Sequence, residues 1–328
     1  MATSSLPLEI GLNAAIVAVE ARQPLILVTR SGGARETDAL PFGPFDPLAH
    51  RTFETGLRAW VAEQTALKVG YVEQLYTFGD RGRHALPDDT APHLVSVGYL
   101  ALTRASADSS RALARAGAQW RPWYEYFPWE DWREGRPALL DETILPRLRR
   151  WAKARPTDSD AARPLDRHER LKLAFGDDGA PWDEERVLDR YELLYSAGFV
   201  AESWRDGRQT QEPLAKPLHF GISMRFDHRR ILATAISRLR AKLKYRPVVF
   251  ELMPPEFTLT ELQQTVEAIS GRHLHKQNFR RLVESTELVE PTGKHMQQER
   301  GRPAELFRFR RQVLKERPAP GLRVGGRG

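Results

Sequence analysis

Residues 250–293 read FELMPPEFTLTELQQTVEAISGRHLHKQNFRRLVESTELVEPTG, and residues 300–309 read RGRPAELFRF. Phe257-Thr258-Leu259-Thr260-Glu261 is a helix start. Thr258 can cap the free amides of the first turn, and Glu261, three residues on, can reach back and close the box. Phe257 before the cap and Leu262 after it can staple the entry. Leu262, Val266 and Ile269 then recur at helical spacing, and Gly271 supplies a residue that can stop the helix. The pattern predicts a second helix over His275 to Ser285. Phe279, Leu282 and Val283 share one of its faces. Gln277, Arg280, Arg281 and Glu284 share the other, with Asn278 on the flank.

A strand-like Leu288-Val289-Glu290 follows, then a loop with Gly293 and Lys294. Arg300-Gly301-Arg302-Pro303 leads into a return strand, Ala304 to Phe309. Helix, turn, helix and a basic two-stranded wing make a winged helix-turn-helix. Its second helix has the shape to enter a major groove, where Arg, Gln and Asn can pair with base edges. The residues expected to meet double-stranded DNA are Lys276, Gln277, Asn278, Arg280 and Arg281 on the helix, and Lys294, Arg300 and Arg302 on the wing. The bland alternative is an amphipathic helix with a solvated basic face. Charge distribution argues against it. Residues 272–317 hold 12 Lys and Arg against 6 Glu, a surplus of +6 in a chain whose formal net charge is +7. Positive charge concentrated on one small module is the footprint of a phosphate partner.

With 328 residues, the chain has room for two domains or three. Hydrophobic residues make up 41%, enough for ordinary cores. No long apolar run is present, so no membrane span or membrane partner is expected. The polar N-terminus has no basic leader before an apolar core, so no signal peptide is expected. Cysteine is absent, which excludes disulfides and thiolate metal sites and fits a cytoplasmic protein.

The remaining chain alternates strand-like and helical runs. Residues 7–30 read as a hairpin of two buried strands around Gln23-Pro24. A helix is predicted over His50 to Thr65, with Leu57 and Val61 facing inward. Val69 to Leu75 and Leu94 to Thr103 read as strands, separated by a polar loop from Phe78 to Pro92. Within this order stand YVEQLYTFGD at Tyr71 to Asp80 and HLVSVGYLAL beyond it. Together with Asn278-Phe279-Arg280-Arg281 and Arg302-Pro303-Ala304, these segments resemble the Nudix-related transcriptional regulators of NAD metabolism. The resemblance covers about residues 8–125 and 220–310. It implies an α+β fold: a Nudix-like α/β/α sandwich carrying a helical insertion and a C-terminal winged helix-turn-helix. The expected division is a sensor domain at 1–127 and 216–245, a helical insertion at 128–215, a winged helix at 246–315 and a disordered basic tail at 316–328.

A Nudix hydrolase needs Gly-x5-Glu-x7-Arg-Glu-hydrophobic-x-Glu-Glu-x-Gly-hydrophobic, because several carboxylates on one helix face must hold Mg²⁺ against a pyrophosphate. The corresponding segment runs from Leu57 to Leu67. Ala59 and Trp60 stand where Arg and Glu belong, and Gln64 replaces the second of the final acids. Glu63 survives, and Glu54 is off the motif's spacing. One or two scattered carboxylates make a poor Mg²⁺ cage. The expectation is therefore no catalytic residue, no metal and no enzyme activity. The alternative is an active Nudix hydrolase of a nucleoside diphosphate derivative.

A degenerate catalytic helix on a ligand-binding fold suits a sensor. The resemblance implies that the Nudix-like domain binds ADP-ribose or a related nucleotide as effector and changes the grip on DNA; no cofactor is expected beyond it. The positions carried over as pocket candidates are Glu73, Gln74, Tyr76, Phe78, Asp80 and Arg81. A carboxylate suits ribose hydroxyls, an aromatic face suits adenine and Arg suits phosphate. Strand alternation turns part of this set, Leu75 and Tyr71 included, toward the core.

Trp120, Trp123, Tyr124, Tyr126, Phe127, Trp129 and Trp132 fall within thirteen residues. Such density reads as a packed interface, expected to contribute to a homodimer together with the insertion. Ile144, Leu148 and Trp151 fit one inserted helix; Val187, Leu188, Tyr191, Leu194 and Tyr195 fit another. Asp227 to Tyr245 is a strong helix with Ile231, Ala235, Leu239 and Leu243 on its inner face. Its Arg229, Arg230, Arg238, Arg240, Lys242 and Lys244 are expected on a solvated face. This helix is expected to join sensor to winged helix.

Overall fold

The computed structural model describes residues 8–30, 37–65, 67, 69–80, 93–105, 107–155, 163–207, 220–297 and 303–322. The main sheet has the order β3-β2-β1-β6-β5, with β4 pairing β1 and β7 pairing β2. Its strands are β1 (Leu8–Glu20), β2 (Gln23–Arg30), β3 (Asp38–Ala39), β4 (Phe42–Pro44), β5 (Tyr71–Phe78), β6 (His93–Leu102) and β7 (Ala118–Pro122). β1 and β2 form the expected hairpin. Its two-residue turn is Ala21-Arg22 at φ 45° and 66°, the left-handed pair that matches strand twist. β1 also runs parallel to β6, from Leu8 opposite His93 to Val17 opposite Leu102.

β1 is an almost unbroken apolar run because both its faces are covered. Ala15 and Val17 join one core while Leu12, Ala14 and Ile16 join the other. The second core is closed by α1 (Phe53–Thr65), through Leu57 and Val61. α2 (Ala107–Arg115) adds Leu113. The first core lies under a longer helix, His228–Leu243, through Ile231, Ala235, Leu239 and Leu243. Helix, sheet and helix form the expected three layers.

Between β7 and that helix lie α3 (Leu145–Lys153), α4 (Arg167–Phe175), α5 (Val187–Ser196) and α6 (Ala201–Arg205), so His228–Leu243 is α7. α3 is entered through a single wide turn, Leu140–Ile144, with i to i+5 bonding. After α7 come α8 (Leu259–Ser270), α9 (Lys276–Thr286), β8 (Val289–Met296), β9 (Ala304–Phe309) and α10 (Val313–Glu316). The buried apolar side chains of the insertion, α7 and the winged helix form one continuous cluster with the α7-side face of the sheet.

Three expectations change. Trp123, Tyr126, Phe127 and Trp129 are completely buried, and Tyr124 nearly so. α5 and α7 cover these five side chains, which are interior packing, while Trp120 and Trp132 are half-buried. Arg229 and Arg240 are not solvated. Arg229 is enclosed with Glu202 (3.2 Å) and Arg240 with Glu130 (2.7 Å), all four fully buried. The partners come from the insertion, 27 and 110 residues away, beyond the reach of a helical-face argument. Finally, the segment after α10 is not a disordered tail as far as residue 322. Leu322 is buried and its amide bonds to the Leu243 carbonyl at 2.8 Å. Arg246 donates to the Pro318 carbonyl, and Arg317 to the Thr286 carbonyl. Residues 323–328 lie outside the described residues. Between Phe220 and Phe226 the described chain meets the sheet in a bridge between Met224 and Asp38.

Candidate nucleic-acid interface and sensor face

α8 begins as its sequence demands. The Thr258 hydroxyl accepts from the Glu261 amide (3.2 Å), and the Glu261 carboxylate accepts from the Thr258 amide (2.7 Å). Gly271 ends the helix at φ 73°. Thr258→Ala should lower stability by about 1 kcal/mol, read as a shift in denaturant midpoint at constant slope. Phe257 forms a backbone bridge with Phe307 of the wing, bonded in both directions at 2.9 and 2.8 Å. The wing is thereby tied to the entry of α8.

α9 packs on α8 through Phe279 and Val283, both buried. A helix that buries positions 279 and 283 turns 277, 280, 281 and 284 away from that face, and 276 stands at its open N-terminal end. Lys276, Gln277, Asn278, Arg280 and Arg281 are all exposed. Among the described residues none of them makes an ion pair or a side-chain hydrogen bond. The other basic residues of this module are largely compensated. Arg308 pairs with Glu290 at 2.7 Å, Arg310 with Glu316 at 2.8 Å, Arg317 with Glu287 at 2.9 Å and Lys294 with Glu256 at 2.8 Å. Among the described Lys and Arg residues of 272–317, Lys276, Arg280, Arg281, Arg311 and Lys315 are exposed without an ion pair, and three of these five lie on α9. Lys294 stays exposed on the wing but shares its charge with Glu256. Arg300 and Arg302 lie outside the described residues.

The C-terminal end of α8 is held by groups from far back in the chain. Tyr124 donates to the Ala268 carbonyl (2.8 Å), Arg240 Nε to the Ile269 carbonyl (2.9 Å) and the Trp132 amide to the Gly271 carbonyl (2.7 Å). These are carbonyls a helix leaves without internal partners. Gly271 is required here twice, by its positive φ and by space: a Cβ would lie 2.4 Å from the Glu130 carbonyl and 2.8 Å from Arg240. Arg240 also chelates Glu130, which Arg190 of α5 grips from the other side at 2.5 and 2.9 Å. Burial alone would raise the Glu130 pKa. The two guanidinium groups outweigh it and hold the carboxyl below its usual range.

The opposite side of α7 faces β5. Glu73 pairs with Lys242 at 2.6 Å and lies 4.0 Å from Arg238; the Tyr71 hydroxyl completes the cluster, 2.9 Å from Glu73 and 2.7 Å from Lys242. Asp80 pairs with Arg230, which also reaches Glu192 at 2.6 Å. Gln74 accepts from the Tyr99 hydroxyl at 3.3 Å. Tyr76 is exposed, with its ring edge-on to Phe78 at 5.5 Å. Phe78 itself is 2% exposed and belongs to the core, so it offers no face to an adenine. Arg81 lies outside the described residues. The structure therefore brings Glu73 and Asp80 onto α7 rather than around an open pocket.

α1 carries the other half of the question. Gln64 accepts from the Phe42 amide (3.2 Å) and donates to the Phe42 carbonyl (2.6 Å). Trp60 donates its indole N–H to the Pro44 carbonyl (2.7 Å), and its ring lies so close over Gly43 that a Cβ there would meet it at 2.3 Å. The two positions where a Nudix helix carries acids thus clamp β4. Glu54 pairs with Arg58 on the same helix, and Glu63 is exposed. No group of three or more His, Asp or Glu side chains among the described residues could hold a metal ion. No helix of the described residues is long and apolar enough to cross a membrane.

Residues 249–309 match the family model of the NrtR DNA-binding winged helix domain. A curated relative, the ADPR responsive transcriptional repressor NtrR of Acinetobacter baylyi, is 42% identical over 88 residues. That match covers 27% of this chain and spans about a third (35%) of the relative's length. Among solved structures, NrtR of Shewanella oneidensis complexed with a 27mer DNA superposes with a TM-score of 0.54 at 20% identity, covering 93% of this chain and 95% of that one. A second crystal structure of S. oneidensis NrtR gives a TM-score of 0.52 at 20% identity, covering 92% and 94%. Residues 249–309 thus match the NrtR DNA-binding winged helix model, and the chain shares the fold of the S. oneidensis NrtR structures, a Nudix-like sandwich joined to a winged helix.

Proposed function

We propose that this protein is a ligand-responsive transcriptional regulator that binds double-stranded DNA through α9 and senses an ADP-ribose-like nucleotide in its Nudix-like part. The observation that carries the DNA half is the outer face of α9, where Lys276, Arg280 and Arg281 stand exposed and uncompensated over buried Phe279 and Val283. The sensing half rests on the Nudix-like sandwich and on the ADP-ribose responsiveness named for the A. baylyi relative. The genes regulated are expected to serve NAD metabolism, as the sequence resemblance implies. The sensor comprises 1–127 and 216–245, the insertion 128–215 and the DNA-binding part 246–315.

The Nudix-like part is proposed to be without pyrophosphatase activity. Trp60 and Gln64 are committed to β4, and the remaining acids on α1 are Glu54 and Glu63, which do not converge. Incubation of the full chain with ADP-ribose and Mg²⁺ or Mn²⁺ should release no AMP. Turnover abolished by Glu63→Ala would restore the hydrolase reading.

α7 supplies the route from nucleotide to DNA. It touches β5 through Lys242 and holds the end of α8 through Arg240. The two side chains leave α7 about 200° apart, on opposite faces. A nucleotide that prefers one placement of α7 changes DNA affinity only by its differential affinity for the two placements. A homodimer reading two half-sites one helical turn apart is proposed as the acting form. Light scattering, with DNA titrations in the presence and absence of ADP-ribose and NAD, tests both points. A monomer on DNA would remove the dimer, and unchanged DNA affinity despite demonstrated nucleotide binding would remove the sensor.

A further inference from the structure

We propose that Phe42, Arg225 and Phe226 form the nucleotide-binding face of the sensor part, the two rings taking a planar base and the Arg225 guanidinium an anionic phosphate. This deepens the sensor reading above and rests on it. The first observation is backbone strain. Among the described residues, five other than glycine have positive φ: Ala21, Arg22, Asp178, Phe226 and Glu287. Ala21 and Arg22 form the β1–β2 turn, Glu287 caps α9, and Asp tolerates this region. Phe226, at φ 49°, is the bulky residue among them and a genuine outlier. Such strain persists only where surroundings impose it, and it gathers at ligand sites. Here Arg205 imposes it, donating to the Met224 and Phe226 carbonyls at 2.7 Å each.

The second observation is the chemistry this strained turn presents. The Arg225 guanidinium lies 4.5 Å from the Phe226 ring centroid and 5.9 Å from that of Phe42. Arg225 and both rings are part-exposed. Among the described residues Arg225 has no carboxylate partner and no side-chain hydrogen bond. A guanidinium stacked on a ring keeps its in-plane N–H fork for a bidentate oxyanion. Phe42 meets Phe226 edge-on at 5.9 Å and His228 at 5.1 Å. Its backbone is held on both sides by Gln64. The residue standing in place of a metal-binding acid thus positions a stacking ring. Charge agrees: the Arg225 amide bonds to the Asp38 carbonyl (2.9 Å), and the Asp38 carboxylate is shared by Arg121 (3.2 Å) and Arg30 (3.9 Å). With Glu125 on Arg121, this patch has three cations and two carboxylates.

Position supplies the consequence. Phe226 stands two residues before α7, so a ligand here acts on the start of the helix that holds α8 through Arg240. The test is calorimetric titration of the full chain with ADP-ribose, adenosine and inorganic pyrophosphate. Arg225→Ala should weaken ADP-ribose binding roughly tenfold or more, and Arg225→Lys less, because charge remains without the planar fork. Phe226→Leu should weaken ADP-ribose and adenosine but leave pyrophosphate unchanged. Melting temperatures and nucleotide-free DNA affinity check that each variant is folded. Wild-type binding that survives both Arg225→Ala and Phe226→Leu, and falls instead with Glu73→Gln, overturns this site and keeps the sensor. If no probe binds the wild-type chain, the sensor reading itself fails and takes this site with it.

Discussion

Replacing Glu130 by Ala should destabilise the protein by about 3–5 kcal/mol and lower its melting temperature by on the order of 10 °C. Glu130 lies between Arg190 and Arg240, and all three are buried. Removing the carboxylate leaves two guanidinium groups in a low-dielectric interior with no counter-charge. Neither can deprotonate to escape. The damage would not remain local. Arg240 caps Ile269 of α8, and the Glu130 backbone lies against Gly271. DNA affinity should therefore fall along with stability, since the orientation of the winged helix depends on the same contacts. Arg240→Met is the informative companion, because Glu130 keeps Arg190 and no charge is stranded. A thermal melt of Glu130→Ala within 2–3 °C of wild type, about what 1 kcal/mol produces, would refute the account.

The same group sets an acid limit. The folded-state pKa of Glu130 lies below its unfolded value. Its contribution is then fully present above about pH 4.5, near the unfolded carboxyl value. It is lost as pH falls through the lower folded value. In Glu130→Gln this part of the acid sensitivity should vanish, which stability curves at pH 7 and below 4 would reveal.

The second large effect is on DNA. The double substitution Arg280→Ala, Arg281→Ala should weaken operator binding on the order of 100-fold, if each Arg pairs with a guanine edge worth about 1–3 kcal/mol. Both side chains are exposed on the face of α9 opposite Phe279 and Val283, so the fold should be unaffected. Lys294→Ala on the wing should weaken all sequences alike and by less, because Lys294 already shares its charge with Glu256. Titrations at two salt concentrations separate the roles. Losing a phosphate contact makes the log–log salt slope shallower by about one unit, whereas losing a base contact lowers specificity at constant slope. A double mutant that shifts operator DNA as well as wild type would remove α9 as the reading helix.

The sequence by itself determined the winged helix and the buried strands of the sensor part, while the sandwich came from the resemblance its motifs carry. The Thr258–Glu261 box, the Gly271 stop, the Phe279 and Val283 stripe and the near-continuous apolar run of β1 are local patterns whose physical causes act within a few residues. The degenerate acids of α1 were legible too, since a missing carboxylate needs no partner to be seen. What Trp60 and Gln64 do instead was not legible, because their partners on β4 are 16 and 22 residues away. The aromatic run at 120–132 looked like a surface, yet Trp123, Tyr124, Tyr126, Phe127 and Trp129 are interior, because α5 and α7 fold over them. The basic residues of α7 looked alike, but Arg240 is buried with Glu130 while Lys242 faces Glu73. Composition counts charges, and only tertiary structure decides which meet a counter-charge, since ion pairs join residues with no periodic relation in the chain. The strain at Phe226 belongs to the same class. No local signal marks a phenylalanine for positive φ; the Arg205 side chain, 21 residues back, holds it there.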